Sequence, residues 1–378
     1  MKIAFSIFKY FPYGGLQKDL LKLVRECLSR DHEVRVYIGK LECEFPEKNC
    51  ELVEVECSSI TNHGGIKRFS DFVEWHLANN HVDLMVGMNK MPGLDVYYAG
   101  DSCYQAKTMS QRNRFYRLLP RYRQFLKFER SVFNATSKTR ILTISDLEVP
   151  KFQKYYHTQK GRFFDLPPGI TPFLMSPEGR KQRRIKFRAE RGITELDRVL
   201  LFVGSGFKKK GLDRVIVGLA SIKQRIAGNC RLLVVGDDNP KRHKRLAKSL
   251  GVSNEVDFLG GRENILEFLC GADGFVLPAY DENAGMVILE SLVAGLPVLV
   301  TENCGYAGYV AAADCGLICP NPFDQSLFNS QLVDLITNPR RDQWILNGLK
   351  FAKNQDLYRM PHKAADYFEQ FLNEDYPK

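Results

Sequence analysis

GFVLPAYDENAGMVILESLVAGLPVLVTE, residues 274 to 302, passes through an apolar run of strand length, a turn, a helix-forming stretch and a second β-branched run. A helix joining two such strands fits a parallel crossover. Between strand and helix lies DENAG, and Glu282 and Glu290 stand eight positions apart across it. A strand ending at Ala279 and a helix starting near Gly285 aim backbone N–H groups, and the positive end of a helix dipole, at an anion lying between them. A phosphate suits that place. Carboxylates do not bind phosphate, so Glu282 in the loop and Glu290 inside the helix must hold another part of the same molecule. The hydroxyls of a sugar are their natural partners.

Working outward, the same alternation of strand and helix runs through all 378 residues. The first half contains IAFSIF (3 to 8), EVRVYI (33 to 38), LVEVEC (52 to 57), DLMVGM (83 to 88), VYYAG (96 to 100) and RILTIS (140 to 145). The second contains VLLFVG (199 to 204), RLLVVG (231 to 236), VDFLG (256 to 260), GFVLPA (274 to 279) and PVLVTE (297 to 302). Two parallel α/β sheets are implied, in a chain long enough for two domains. LPPGITPFLMSP (166 to 177), with its prolines and no sustained period, reads as the linker, and a cleft is expected there. The expected division is 1–166, 167–355, and a C-terminal helix in 356–378 that crosses back to the first domain.

Composition excludes several classes. Apolar residues make up 44% and charged residues 26%, and no apolar stretch approaches the roughly 20 residues of a membrane span. MKIAFSIFKYFPYGG lacks a small-residue cleavage site and is broken by Lys9, so it reads as a first strand and not a signal peptide. A cytoplasmic protein is expected. The ten cysteines are scattered without a CxxC pair, which favours reduced, mostly buried thiols over a metal site. Asp237 and Asp238 follow a strand in a turn before Pro240 and carry no metal in this reading.

In open parallel sheets ligands bind beyond the carboxyl ends of the strands. After the first strand, Gly14 and Gly15 permit a tight turn into a helix with Leu16, Leu20, Leu23 and Val24 inward. After VLLFVG comes SGFKKKG, where Lys209 and Lys210 precede Gly211 and a helix start. Two cations and a helix N-terminus there suit a diphosphate.

A third feature is electrostatic. The net charge is +10, and KTMSQRNRFYRLLPRYRQFLKFER (107 to 130) carries eight Lys or Arg against the single Glu129. Arg112, Arg114, Arg117, Arg121, Arg123 and Lys127 alternate there with Phe115, Tyr116 and Tyr122. A solvated helical face, an interface with anionic lipid, and a strand-binding groove for nucleic acid all have this composition. Pro120 divides the stretch into two short helices, which disfavours a continuous major-groove helix.

With these motifs in hand, the chain resembles the retaining glycosyltransferases of family 4, whose E-x7-E motif matches Glu282 and Glu290 without a gap. Within that family it is most similar to the enzymes that glucosylate the lipopolysaccharide core. The likeness rests on KYFPYGGLQKD (9 to 19), SITNHGG (59 to 65), MNKMPGLDVYYAGDSCY (88 to 104), LPPGI (166 to 170), PAYDENAGMVILE (278 to 290) and AGLPVLVTENCGY (294 to 306). It implies the GT-B fold of two facing Rossmann-like domains. It also implies transfer of glucose from UDP-glucose, as co-substrate and without a cofactor, to an inner-core heptose of lipopolysaccharide at the cytoplasmic face of the inner membrane.

Carried over by residue, the resemblance makes Glu290 the ligand of the ribose hydroxyls and Glu282 a contact to the donor sugar. The amides of Ala284, Gly285, Met286 and Val287 would meet the diphosphate, Lys209 and Lys210 would neutralise it as it leaves, and Arg262 would flank the uracil. Gly14 and Gly15 join the donor set, and Asn283, beside Glu282, would bear on donor selectivity. Ser205 stands where many members carry an arginine, so positive charge rests on the two lysines. The family pattern offers no protein nucleophile, which leaves a front-face substitution with an oxocarbenium-like sugar and no metal. On the acceptor side Asp19, Asp101 and Asn89 are candidates, with His63 open between sugar contact and loop residue. An acceptor carried by lipid favours the anionic-membrane reading of residues 107 to 130 over nucleic acid. Two alternatives remain: transfer from UDP-galactose or a UDP-N-acetylhexosamine, and a sugar-nucleotide epimerase, which needs an acid and a base but no acceptor.

Overall fold

Runs of Val, Ile, Leu and Phe without polar alternation make strands that are covered on both faces, and they form the centre of two all-parallel sheets. The computed structural model describes residues 1–173, 175–223, 225–226 and 229–375. They divide into a first unit, Met1–Gly169 with Arg359–Lys378, and a second, Ile170–Tyr358. Residue 174, inside the expected linker, lies outside the described residues.

The first unit contains β1 (Lys2–Tyr10), β2 (Glu33–Leu41), β3 (Glu51–Glu54), β4 (Leu84–Gly87), β5 (Val96–Ala99), β6 (Arg140–Thr143) and β7 (Phe163–Asp165). Their order across the sheet is β3-β2-β1-β4-β5-β6-β7. β1 starts the sheet at its centre, paired in register with β2 from Lys2↔Glu33 and with β4 from Ile3↔Leu84. The C-terminal helix Met360–Asp375 belongs to this unit and packs on the helix Gly15–Ser29. Phe368 meets Phe5 edge-on at 6.0 Å, and Arg30 donates to Asp366 at 2.8 Å.

The second unit contains β8 (Arg198–Val203), β9 (Cys230–Val235), β10 (Val256–Gly260), β11 (Gly274–Leu277), β12 (Val298–Thr301) and β13 (Gly316–Cys319), ordered β10-β9-β8-β11-β12-β13. Each sheet reverses direction of growth once, between β1 and β4 in the first and between β8 and β11 in the second. Ligands gather beyond the strand ends at such a reversal. In the second unit the residues there are 204–211 after β8 and 278–285 after β11.

All eleven strands read from sequence are present, and two are added. β7 and β13 are edge strands of three and four residues, FFD and GLIC, too short to show a period. All ten cysteines are free thiols, eight of them buried. Among the described residues no helix is long and apolar enough to cross a membrane.

Candidate active site

The loop 278–285 is held on three sides before its carboxylates are considered. The Thr301 hydroxyl donates to the Ala279 carbonyl at 2.9 Å, and Arg214 Nη1 donates to the Pro278 carbonyl at 2.9 Å. The Arg214 guanidinium lies between the rings of Tyr280 and Phe323, at 3.6 and 3.8 Å from their centroids. From the far side, Gly305 N–H donates to the Glu282 carbonyl at 3.0 Å and Tyr306 N–H to the Ala284 carbonyl at 2.9 Å. Cys304 sits beneath, its thiol pushed up to about 12 by burial and then by the charge of Glu282, so it packs as a neutral group.

The helix Met286–Val293 opens from Gly285, which is left-handed at φ 87°, and no side chain caps it. The positive end of its dipole and its first N–H groups therefore face the loop without a competing acceptor from the cap residue. β11 ends at Leu277, two residues before the expected Ala279, because Pro278 has no N–H to continue the ladder. Glu290 lies four residues inside the helix and is half-buried; Asn283 is buried.

The second loop is anchored by Phe207, which is buried against Phe202, His243 and Phe258. Asp238 accepts from the Phe207 N–H at 2.7 Å and from Asn239 N–H at 2.7 Å, so its carboxylate ties loops together. The two loops then meet directly. Tyr280 N–H donates to the Lys209 carbonyl at 2.9 Å, and a Cβ on Gly211 would stand 2.0 Å from the Pro278 carbonyl oxygen. Only glycine allows that approach, and at φ 78° it is also the residue that adopts the turn readily.

This contact brings the charges together. Lys210 Nζ pairs with the Glu282 carboxylate, with side chains 18% and 15% exposed, and Lys209 Nζ lies 3.9 Å from Asp281. The sequence reading gave Lys210 and Glu282 separate partners on the ligand; the fold also makes them partners of each other. Arg262 is exposed in the loop after β10.

The acceptor-side candidates lie in the first unit. Asp19 is buried, accepting from the Tyr98 hydroxyl at 2.9 Å with Lys22 at 3.5 Å. Burial raises its carboxyl above the ordinary value, with Lys22 opposing. Asp101 is exposed just beyond β5. Asn89 accepts from Phe8 N–H at 2.8 Å and so braces the end of β1. Gly14 precedes the helix Gly15–Ser29, and Gln17 donates back to the Lys9 carbonyl at 2.8 Å across this turn. In that helix Leu16 is half-buried while Gln17 and Asp19 join Leu20, Leu23 and Val24 inside. His63 is half-buried near the start of the helix Asn62–Asn79.

The basic stretch is three short elements: a helix Tyr104–Gln111, a 3-10 turn Arg114–Leu118 and a helix Pro120–Phe133. Pro120 opens the last of them at its first position, where its missing N–H is harmless. Phe115, Leu118 and Leu119 are exposed, with Arg112, Arg114, Arg121, Arg123 and Lys127 around them. Tyr122, expected at a membrane surface, is instead buried among core residues and 6.2 Å from Tyr116, which is itself half-buried along with Arg117. The helix register sends Tyr122, Leu126 and Phe128 inward and their charged neighbours outward. Glu129 is fully buried and accepts from the N–H groups of Tyr104 (2.7 Å) and Gln105 (2.9 Å), from Lys90 (2.6 Å) and from the Tyr156 hydroxyl (2.5 Å). Nothing in sequence marked it; it looked like the odd acid in a basic run.

Two doubly wound parallel sheets, with paired carboxylates and lysines at the second sheet's reversal point, define a GT-B glycosyltransferase. The chain belongs to the glycosyl transferases of group 1, whose family profile matches residues 183–351. It is 43% identical over 97% of its length to the lipopolysaccharide glucosyltransferase WaaG of Escherichia coli (strain K12), of which it covers 98%. The crystal structure of WaaG superposes with a TM-score of 0.92 at 42% identity, covering 97% of this chain and 99% of that one. Sucrose-phosphate synthase of Thermosynechococcus elongatus shares the fold alone, with a TM-score of 0.78 at 15% identity over 99% of both chains. The protein is thus a WaaG-like glycosyltransferase.

Proposed function

We propose that this enzyme transfers glucose from UDP-glucose, with retention of configuration, to a heptose of the lipopolysaccharide inner core. The observation that carries this is the meeting of Lys209, Lys210, Asp281 and Glu282 at the uncapped start of Met286–Val293, in a chain so similar to WaaG. Glu290 holds the ribose hydroxyls, the amides of Ala284 to Val287 receive the diphosphate, and Arg262 flanks the uracil. Asn283, buried beside Glu282, shapes the sugar end of the loop.

Chemistry follows from charge. As the glycosidic bond breaks, negative charge grows on the diphosphate and positive charge on the sugar ring. Lys209, Lys210 and the helix dipole stabilise the first, and the Glu282 carboxylate favours the second. The departing phosphate oxygen takes the proton of the attacking hydroxyl on the same face, so retention needs no protein nucleophile. The lysines and the helix supply the positive charge, and the step requires no metal. Asp19 and Asp101 serve the acceptor hydroxyl in the first unit. In this reading the enzyme works at an anionic membrane surface on its cytoplasmic face, where a lipid-linked acceptor is presented, and the exposure of Phe115, Leu118 and Leu119 beside arginines supports it.

The test is a donor screen against heptose-terminated core lipopolysaccharide, with the product linkage read by NMR. Glucose transferred from UDP-glucose in the α configuration is expected. A preference for UDP-galactose or a UDP-N-acetylhexosamine, an inverted linkage, or sugar isomerisation without acceptor would overturn the assignment.

A further inference from the structure

The strands that carry the donor loops at their carboxyl ends carry a different cluster at their amino ends. Arg198 opens β8, and Asp273 immediately precedes β11. Beside them is a cavity of about 510 Å³, lined by Arg180, Arg184, Arg198 and Arg341 against two carboxylates, Asp273 and Asp342. Four cations face two anions there. The Asp273 carboxylate is already committed: it accepts from Val199 N–H at 2.8 Å, from Arg184 at 2.7 Å and from Arg188, behind the cavity, at 3.2 Å. Three of the lining arginines are also engaged. Arg184 donates to the carbonyls of Gly271 and Ala272 at 3.0 and 2.9 Å, Arg341 to the Asp273 carbonyl at 2.7 Å, and Arg198 to the Glu195 carbonyl at 3.0 Å.

Arg180 differs from them. It is 9% exposed, its Nε is buried without a hydrogen-bond partner, and among the described residues it makes no ion pair within 4.0 Å. A buried guanidinium N–H without an acceptor is unfavourable, and here burial, followed by the charge of Arg184, lowers the group to about 10 against the weaker opposing charge of Asp273. A cost only partly offset within the fold points to a ligand.

We propose that this cavity is a second binding site, separate from the donor loops, for a dianionic phosphoryl group held by Arg180 with Arg184 and Arg341 beside it. The surplus of two positive charges matches a phosphate dianion better than a single carboxylate. Planar guanidinium forks take two of its oxygens at once. Inorganic phosphate and a small phosphate monoester share that chemistry. Ile336 and Ile345 give the cavity an apolar wall against which the carbon portion of a monoester would lie.

Titration calorimetry on the full chain tests it, with inorganic phosphate and glycerol 3-phosphate as separate ligands. With UDP saturating the donor loops, Arg180→Met should weaken binding of both by at least about tenfold. Because Arg180 has no partner to abandon, Arg180→Met should melt no lower than the parent in phosphate-free buffer and should lose the phosphate-dependent rise in Tm. Tighter binding of the monoester would identify it as the ligand, and equal affinity would identify inorganic phosphate. The proposal fails if, with UDP present, phosphate binding survives Arg180→Met, or if neither ligand binds at about 20 mM.

Discussion

The Lys210–Glu282 pair offers the sharpest test of the site, because its two members are assigned to opposite charges on one substrate. Lys210→Met leaves a carboxylate 15% exposed and without its cation. A unit charge about 6 Å away at an effective dielectric near 20 contributes roughly 3 kcal/mol, and solvent at this half-open loop reduces that to about 1.5 kcal/mol. The diphosphate of UDP-glucose therefore meets an added repulsion of that size, and donor affinity should fall about tenfold. Turnover should fall further, by about a hundredfold or more, because the leaving group gains charge in the transition state. Adding Glu282→Gln removes the repulsion. The double variant should regain most of the lost donor affinity and none of the turnover, since the carboxylate that favours a cationic sugar is gone as well. Calorimetric titration of UDP-glucose and initial rates at saturating donor separate the two quantities, with melting temperatures confirming that each variant is folded. A double variant that binds donor no better than Lys210→Met, or one whose turnover recovers along with affinity, would refute the assigned roles.

Four further outcomes are expected. Glu290→Ala should weaken UDP binding by about 2 to 3 kcal/mol, the scale of hydrogen bonds to a charged group, and unchanged calorimetric affinity would remove its ribose role. Gly211→Ala should destabilise the second unit by about 3 kcal/mol or more, because its Cβ would lie 2.0 Å from the Pro278 carbonyl at φ 78°; a Tm within a degree of the parent would contradict this. Glu129 has its pKa lowered, chiefly by Lys90 against the opposing effect of burial, so its stabilisation is present above the ordinary value of 4.5 and is lost as pH falls below it. Glu129→Gln should lose about 2 to 4 kcal/mol at neutral pH and flatten the acid limb of a Tm-against-pH curve, whereas an acid limb parallel to the parent's would show that other groups set it. Charge reversal at Arg117, Arg121 and Arg123 should abolish sedimentation with anionic vesicles, which should also decline with added salt; binding indifferent to both would reject the membrane surface.

Much of the fold was legible because parallel strands buried on both faces are written as unbroken apolar runs. β1, β8, β11 and β12 could be read directly, while β7 and β13 are edges that rely on one neighbour and carry no period of their own. Within the candidate site, Lys209, Lys210 and Glu282 beyond the strand ends, and Glu290 inside the helix that follows, could be singled out from spacing. Their supports could not. Arg214 and Phe207 look like ordinary helix and loop residues, and their work as clamp and anchor depends on rings contributed by Tyr280, Phe323, Phe202 and Phe258. Within 294 to 306, the part beyond the strand, NCGY (303 to 306), stood out only through family likeness. Its physical task is to brace the main chain at Glu282 and Ala284.

By itself, then, the sequence determined the alternation of strand and helix, the two sheets and the chemical character of the loop DENAG. These follow from periodicity and side-chain type, which are local properties of the chain. Only the tertiary structure decided that Lys210 pairs with Glu282, that Tyr122 turns inward while Phe115 stays out, that Glu129 holds two helices together, and that Arg180 is buried among other cations. Each of those depends on which strand lies beside which, and on one helix register against another. Charges separated by many residues acquire their partners, and so their energies, only when the sheet order brings them within a few ångströms.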